Sequence, residues 1–307
     1  MRNAFADEVT SLAKTDRRLV LLSGDIGNKL FDRFKDVDAL RFYNCGVAEA
    51  NMMGVAAGMA LCGLRPVVYT ITPFTTTRCF EQIRVDVCYH NAPVIIVGTG
   101  SGLSYAELGP THHSLEDLAI LRTLPGMRVL APCDGMELRL ALRAALKQDN
   151  PVYIRIGKKG EPPIHSREPA FSIGQAIVVR EGSDVALLSA GTLMPEVLKA
   201  ADRLMSQGIS AEVVSFHTIK PLDCAYLAHA AGKFKLLATI EEHGVIGGLG
   251  SAVAEWRAAA NAPVSHLMFG TPDEFMHEVG SQEYARAKYG LTAENIAARV
   301  EAALRPK

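Results

Sequence analysis

The runs LVLLS (19–23), PVVYT (66–70), PVIIVG (93–98), MRVLAP (127–132) and PVYIRI (151–156) are apolar at nearly every position, not at every second one. A strand of that kind is buried on both faces, and the arrangement that buries both faces is a parallel sheet covered by helices. Stretches with helical spacing lie between and around these runs, near 2–14, 48–62, 76–90, 115–123 and 134–148. They are long enough to serve as the crossovers that parallel strands require. The pattern predicts an α/β fold.

The segment GKKGEPPIHSREPA (157–170) interrupts this alternation with charges, prolines and glycines, and shows no periodicity. It reads as an interdomain linker. Alternation then resumes, with strands expected at 184–190, 211–216, 235–240 and 264–269 and helices at 195–207, 223–231, 249–260, 281–288 and 292–304. Two α/β domains follow, at 1–160 and 173–307, joined by 161–172. Each is expected to be a mostly parallel sheet covered by helices.

Composition narrows the function classes. The formal net charge is −1, which gives no broad electrostatic reason for nucleic acid or an anionic membrane as partner. The six cysteines form no C-x-x-C pair and fall mostly in apolar surroundings, as reduced thiols in a cytoplasmic protein would. The N-terminal stretch MRNAFADEVTSLAKTDRR has no apolar core of a signal peptide. The uncharged apolar stretch 50–64 is too short to span a bilayer.

One residue stands out. Between Arg41 and Arg65 the only charged side chain is Glu49, set in NCGVAEANMMGVAAGMALCG (44–63). Removing a carboxylate from water is costly unless it is paired, hydrogen-bonded or protonated. Gly46 stands three residues before it, the spacing of an N-cap and a capping acid. Glu49 is therefore either an ionised helix-start acid favoured by the dipole, or a carboxyl facing a buried pocket and kept uncharged by desolvation. Two further stretches bear on this. TPFTTTRCFEQIRVDV (72–87) places Phe74 and Phe80 around a Thr triplet after a strand end, where open parallel sheets bind ligands. AELGPTHHSLEDLAILRTLPGMRVLAPCD (106–134) places paired histidines just before a helix start.

Taken in order and spacing, GVAEANMMGVAAGMA, TPFTTTRCFEQIR, GPTHH, LPGMRVLAPCD, NPVYIRIG, TIKPLD and EEHGVIGGLGS resemble the transketolase family of thiamine diphosphate enzymes. The match is to the pyrimidine-binding and C-terminal domains of the full-length enzyme, over essentially the whole chain. The resemblance implies that Glu49 hydrogen-bonds N1′ of the coenzyme's aminopyrimidine, favouring the tautomer whose 4′-nitrogen takes a proton from the thiazolium. It implies that Phe74 stacks on the pyrimidine, that Phe80 lines the same pocket, and that Asp25, in LSGDIG, lies near the coenzyme. His112 corresponds to a histidine that contacts the donor's oxygens and assists proton transfer, with His113 beside it in the substrate site. Arg155 matches an arginine that holds the substrate phosphate. No metal ligand is expected in this chain, since adjacent loop histidines diverge and no third ligand stands at a recognised spacing.

There are two departures from the family pattern. Leu108 stands where the family commonly has an Asp that reads sugar hydroxyls, and Gly100 where it has a phosphate-binding His. The substrate-reading part is rewritten while the coenzyme part is kept, which points to a specialised sugar pathway. The family's Gly-Asp-Gly…Asn element, which holds the diphosphate through Mg²⁺ or Ca²⁺, has no counterpart; SGDIGNK (23–29) is the nearest string. The resemblance therefore implies the C-terminal subunit of a split transketolase. A separate N-terminal subunit would hold most of the metal and diphosphate, in an α2β2 assembly acting on sugar phosphates. The competing expectations are the beta subunit of another thiamine enzyme (1-deoxyxylulose-5-phosphate synthase-like or 2-oxo acid dehydrogenase) and a non-catalytic regulatory subunit.

Overall fold

The computed structural model describes residues 1–305 apart from Asn28 and Lys159. The parts of the SGDIGNK string, the linker and the C-terminal end that fall on positions 28, 159, 306 and 307 lie outside the described residues.

The strands are β1 (Leu19–Ser23), β2 (Phe42–Asn44), β3 (Arg65–Ile71), β4 (Ile95–Thr99), β5 (Arg128–Leu130), β6 (Val152–Ile156), β7 (Ile177–Arg180), β8 (Val185–Ala190), β9 (Ala211–Ser215), β10 (Thr218–Lys220), β11 (Leu236–Gly244) and β12 (Ser265–Thr271). They form a seven-stranded sheet in the order β10-β5-β6-β4-β3-β1-β2 and a five-stranded sheet in the order β12-β11-β8-β9-β7. Pairing is parallel except for two edge strands: β10 runs antiparallel to β5, and β7 antiparallel to β9. The molecule is thus two α/β domains, each with a mostly parallel sheet flanked by helices. β1, β4, β6, β8 and β9 are buried at every position, the burial their unbroken apolar runs predict.

Three strands escape the sequence pattern because they are short and lie at sheet edges: β2, β7 and β10. β10 also corrects the idea that each sheet is made by its own half of the chain. It leaves the second half and pairs Thr218 with Leu130 and Lys220 with Val129 of the first. The helix expected over 76–90 is not one regular helix. It is a succession of a 3-10 turn (Thr77–Cys79), one α turn (Phe80–Gln82) and a π-helical stretch (Ile83–Tyr89). Such widened turns recur at functional sites.

One apolar core joins the inner faces of both sheets, with Leu22, Val68 and Ile96 on one side and Leu188, Val214 and Phe216 on the other. The outer face of the first sheet is covered by the helices Arg2–Thr15 and Gly135–Ala145, that of the second by Met194–Ser206 and Ala293–Leu304. No regular element lies between β6 and β7 among the described residues. That connection is nevertheless tied down: Asp134 Oδ2 accepts the backbone N–H groups of Ile164 (2.8 Å) and His165 (3.2 Å), and the His165 ring meets Glu137 Oε1 at 2.8 Å.

The helix Glu49–Leu61 is apolar all round. Met52, Met53, Ala56, Ala57 and Ala60 face the core, while Val55 (40% exposed) and Leu61 (60%) stand in solvent along its other side and Val47 (77%) just before its N-cap. A helix that is hydrophobic on every face is normally covered on every face.

Candidate active site

The C-terminal ends of β1, β3, β4 and β6 open toward one edge of the first sheet, the edge where open parallel sheets bind ligands. The site is assembled from the segments that leave these ends. The chain turns after β2 through Gly46, whose φ of +68° suits glycine. Ala48 is the N-cap and Glu49 the first helical residue, with no side-chain cap; Gly46 as the N-cap is corrected.

Glu49 is 4% exposed, and it is not alone. Arg78 Nη1 donates to its Oε2 at 2.9 Å, and Oε1 accepts from no other described residue. One reading of the sequence has an unpartnered carboxyl held uncharged; the structure instead compensates the buried acid with a guanidinium. That guanidinium lies over the Phe74 ring at 3.9 Å, a cation–π contact. Phe74 in turn meets His112 edge-on at 5.3 Å, His112 meets Tyr105 at 6.0 Å, and Lys158 Nζ sits over the Tyr105 ring at 4.4 Å. Glu49, Arg78, Phe74, His112, Tyr105 and Lys158 thus form one continuous row along the sheet edge. His112 is half-buried, its Nδ1 2.9 Å from Thr111 Oγ1.

Arg78, Tyr105 and Lys158 were missed at the sequence level. A signal existed for the first: Arg78 is the cation nearest in sequence to Phe74, within the same TPFTTTRCFEQIR motif. Tyr105 explains the glycine at 100. A Cβ there would come within 1.9 Å of the Tyr105 ring, so the ring fills the volume that a side chain at 100 would need.

Other expected residues fall elsewhere. Phe80 is half-buried against the core that contains Ile83 and Val87, and makes no ring contact with Phe74 or His112. Asp25 is exposed just past β1, where its Oδ1 accepts from Asn44 Nδ2 at 3.1 Å and its N–H donates to Gly46 O at 3.2 Å. His113 diverges from His112. It is buried, burial pushes its imidazole below the ordinary value, and its Nε2 has no partner among the described residues. It lines a different cavity, of about 410 Å³, between the loop at 110–119 and the second domain's segments 244–246 and 271–276.

Arg155 requires a correction. It is 2% exposed, with Nε donating to Asp117 Oδ2 (2.9 Å) and Nη2 to the carbonyls of Ser114 and Glu242 (both 2.9 Å). Asp117 is 1% exposed and also accepts from the Tyr153 hydroxyl at 2.6 Å. Burial pushes the Asp117 carboxyl up, but the charge of Arg155, aided by His243 and the hydrogen bonds from Arg155 and Tyr153, outweighs it and holds the group below its ordinary range. An arginine so engaged is an interdomain clamp and does not present a free fork to a phosphate.

The two α/β domains are those of a thiamine-enzyme chain, a pyrimidine-binding domain followed by a C-terminal domain. Residues 1–162 match the family described as transketolase, pyrimidine binding domain, and residues 174–296 match transketolase, C-terminal domain. The chain is 40% identical to the 6-deoxy-6-sulfo-D-fructose transketolase subunit SqwH of Clostridium sp. (strain MSTE9), over 96% of this chain and 92% of that one. It is 35% identical to a subunit of the apulose-4-phosphate transketolase of Phocaeicola vulgatus, over 96% and 94%. A solved split gene transketolase, an inactive beta4 tetramer, superposes with a TM-score of 0.90 at 36% identity, covering 99% of this chain and 97% of that one. The chain belongs to the transketolase family, and its relatives include subunits of split transketolases. Membership implies thiamine diphosphate as coenzyme.

Proposed function

We propose that this chain is one subunit of a two-subunit transketolase that moves a two-carbon ketol unit from a ketose to an aldose, with the active site completed by a partner chain. The observation that carries this reading is the buried Glu49, which lines an open pocket with Val47, Ala48, Ala50, Asn51 and Arg78. A buried acid at an open, otherwise uncharged helix start, with Phe74 and His112 in the same row, suits an aminopyrimidine. The carboxylate would meet the ring nitrogen, and Phe74, one face of which Arg78 covers, would supply a stacking surface, so these residues fit the coenzyme.

Bound there, thiamine diphosphate supplies the carbanion chemistry. Glu49 holds the proton at the pyrimidine N1′ and so selects the ring's tautomer. Arg78 keeps Glu49 oriented and its charge compensated. His112, between Phe74 and Tyr105, is placed to donate to or accept from the donor's oxygens. Lys158, ion-paired with Glu107, stands at the far end of the row, where an anionic sugar terminus would compete with that carboxylate for it. The names of the two relatives speak of a sulfo-sugar and a sugar phosphate, both anionic at one end, and we read this chain's substrate as a ketose of that class. Asp25 and Phe80 are proposed to border the coenzyme from the β1 end and the 76–90 segment; His113 serves the site only indirectly.

The diphosphate and its Mg²⁺ or Ca²⁺ are assigned to the partner, in an α2β2 arrangement. The solvent-facing stripe Val47, Val55 and Leu61 beside Glu49 is the surface we assign to subunit contact. The solved split gene transketolase is described as inactive in its beta4 form, which agrees with a site needing a second kind of chain.

The test is Glu49→Gln in the mixed subunits. Turnover should fall by roughly 10²–10⁴-fold with the melting temperature unchanged; normal activity would refute the assignment. Calorimetry of the chain alone with thiamine diphosphate and Mg²⁺ should show weak binding, and tight binding would contradict the shared site. The chain is also 35% identical to a 1-deoxy-D-xylulose-5-phosphate synthase of Acidobacterium capsulatum, of which it spans 46%. Turnover of 2-oxo acids, but not ketoses, would favour that chemistry instead.

A further inference from the structure

The second domain sends one acid into the first. Glu242, on β11, is 1% exposed, and its Oε1 accepts the backbone N–H of Leu103 at 2.7 Å. Within its own domain the same carboxylate accepts from Gln282 Nε2 (2.8 and 3.1 Å) and from Arg286 Nε. The backbone carbonyl of Glu242 accepts from Arg155 Nη2, which also donates to Ser114 O.

These bonds converge on the base of one loop. Gly102 and Ser114 exchange backbone hydrogen bonds of 3.1 and 3.0 Å as an isolated antiparallel bridge, closing the loop between them. That loop carries Tyr105 and His112. Its base is gripped at Leu103 by the Glu242 carboxylate and at Ser114 by Arg155, with Gln282 Nε2 reaching Ser104 Oγ at 3.4 Å and the Gly244 N–H donating to Leu115 O at 2.9 Å just past it. A Cβ on Gly102 would lie 2.5 Å from Glu242 Oε1 and 2.8 Å from Glu242 O, so the two domains touch there without room for a side chain. A backbone N–H donating to a carboxylate makes a stronger bond than one donating to a carbonyl. The loop's position is therefore set from the second domain as well as from the strand that precedes it. Glu49, Arg78 and Phe74 stand on first-domain elements that make no such bond among the described residues.

We propose that Glu242 is a positioning residue: through it the second domain fixes where the loop presents Tyr105 and His112 to the donor sugar. The kinetic arm of this inference rests on the transketolase reading; the structural arm does not. The variants are Glu242→Ala and Glu242→Gln, the latter keeping an acceptor oxygen for Leu103 while losing the charge.

In the assembled enzyme the Ala variant should raise KM for the ketose donor about tenfold, with thiamine diphosphate affinity unchanged and the Gln variant partly restored. In the full chain, amide exchange over residues 101–115 should accelerate about tenfold while that of β3 and β4 stays as it was. Unchanged exchange in the loop would overturn the proposal. So would acceleration spread evenly through the chain, which marks a merely structural role, or an unchanged KM alongside accelerated exchange in the loop. If the unmodified assembly transfers no ketol unit, the transketolase reading fails, and the exchange measurement still decides the loop's anchorage.

Discussion

Replacing Arg155 by Met separates a clamp from a substrate grip. The change keeps a long apolar stem but removes the donors to Asp117, Ser114 O and Glu242 O. Asp117 would remain buried with the Tyr153 hydroxyl as its one side-chain hydrogen bond among the described residues and only His243 as a nearby cation. Breaking a buried ion pair from one side costs roughly 3–5 kcal/mol; about 4 kcal/mol is the expectation here, since both partners are at most 2% exposed. For a cooperative unit of this length the melting entropy is about 0.6 kcal/mol per degree, so the midpoint should drop about 6 °C, or about twice that if the first domain melts alone.

The pH dependence follows from the sign of the shift. In the native chain the Asp117 carboxyl is held below its ordinary value, so its contribution is present above pH about 4 and lost as pH falls through the lower folded value. Without Arg155, burial dominates and the carboxyl moves up, so the variant's deficit should shrink on acidification. Urea denaturation at pH 7.5 and 5, with Asp117→Asn/Arg155→Met as the paired control, measures both effects. The neutral pair should recover part of the loss. A variant of native stability whose KM rises for phosphorylated donors alone would refute the clamp.

Gly100→Ala should destabilise by about 2–4 kcal/mol, because φ there is +72° and the new Cβ would meet the Tyr105 ring. Adding Tyr105→Ala should return part of that, and a neutral single variant in urea titration would contradict the packing argument. His165 is raised above its ordinary value by the hydrogen bond to Glu137, against the opposing effect of burial. Its contribution is fully present below pH about 6.5 and is lost as pH rises through the raised folded value. His165→Ala should therefore flatten the decline of stability above neutrality; parallel curves for variant and native chain would show that the imidazole–Glu137 bond contributes nothing to stability.

The class of fold was legible because burial on both faces writes itself as unbroken apolar runs, and β1, β3, β4 and β6 were located within two residues. β2 and β10 were not, since three residues at a sheet edge carry no period, and β10 exists only because the second half of the chain packs against β5. In the site, Glu49 was conspicuous as a charge without a local partner, and Phe74 and His112 stood in recognisable motifs. Arg78 lay in plain view within one of those motifs but carries no sign of its direction. Arg155 was misassigned for the same reason: a strand-ending arginine looks alike whether it faces solvent or an acid contributed from elsewhere in the chain.

By itself the sequence determined that the chain would form two mostly parallel, helix-covered sheets, and it marked one isolated acid without deciding its burial, because hydrophobic periodicity and an isolated charge are local properties. Which cation answers that acid, which ring fills the space at Gly100, and which second-domain carboxylate holds Leu103 were decided only by tertiary structure. Each of those contacts joins residues distant in the chain or depends on the direction of a side chain, and neither is encoded in spacing.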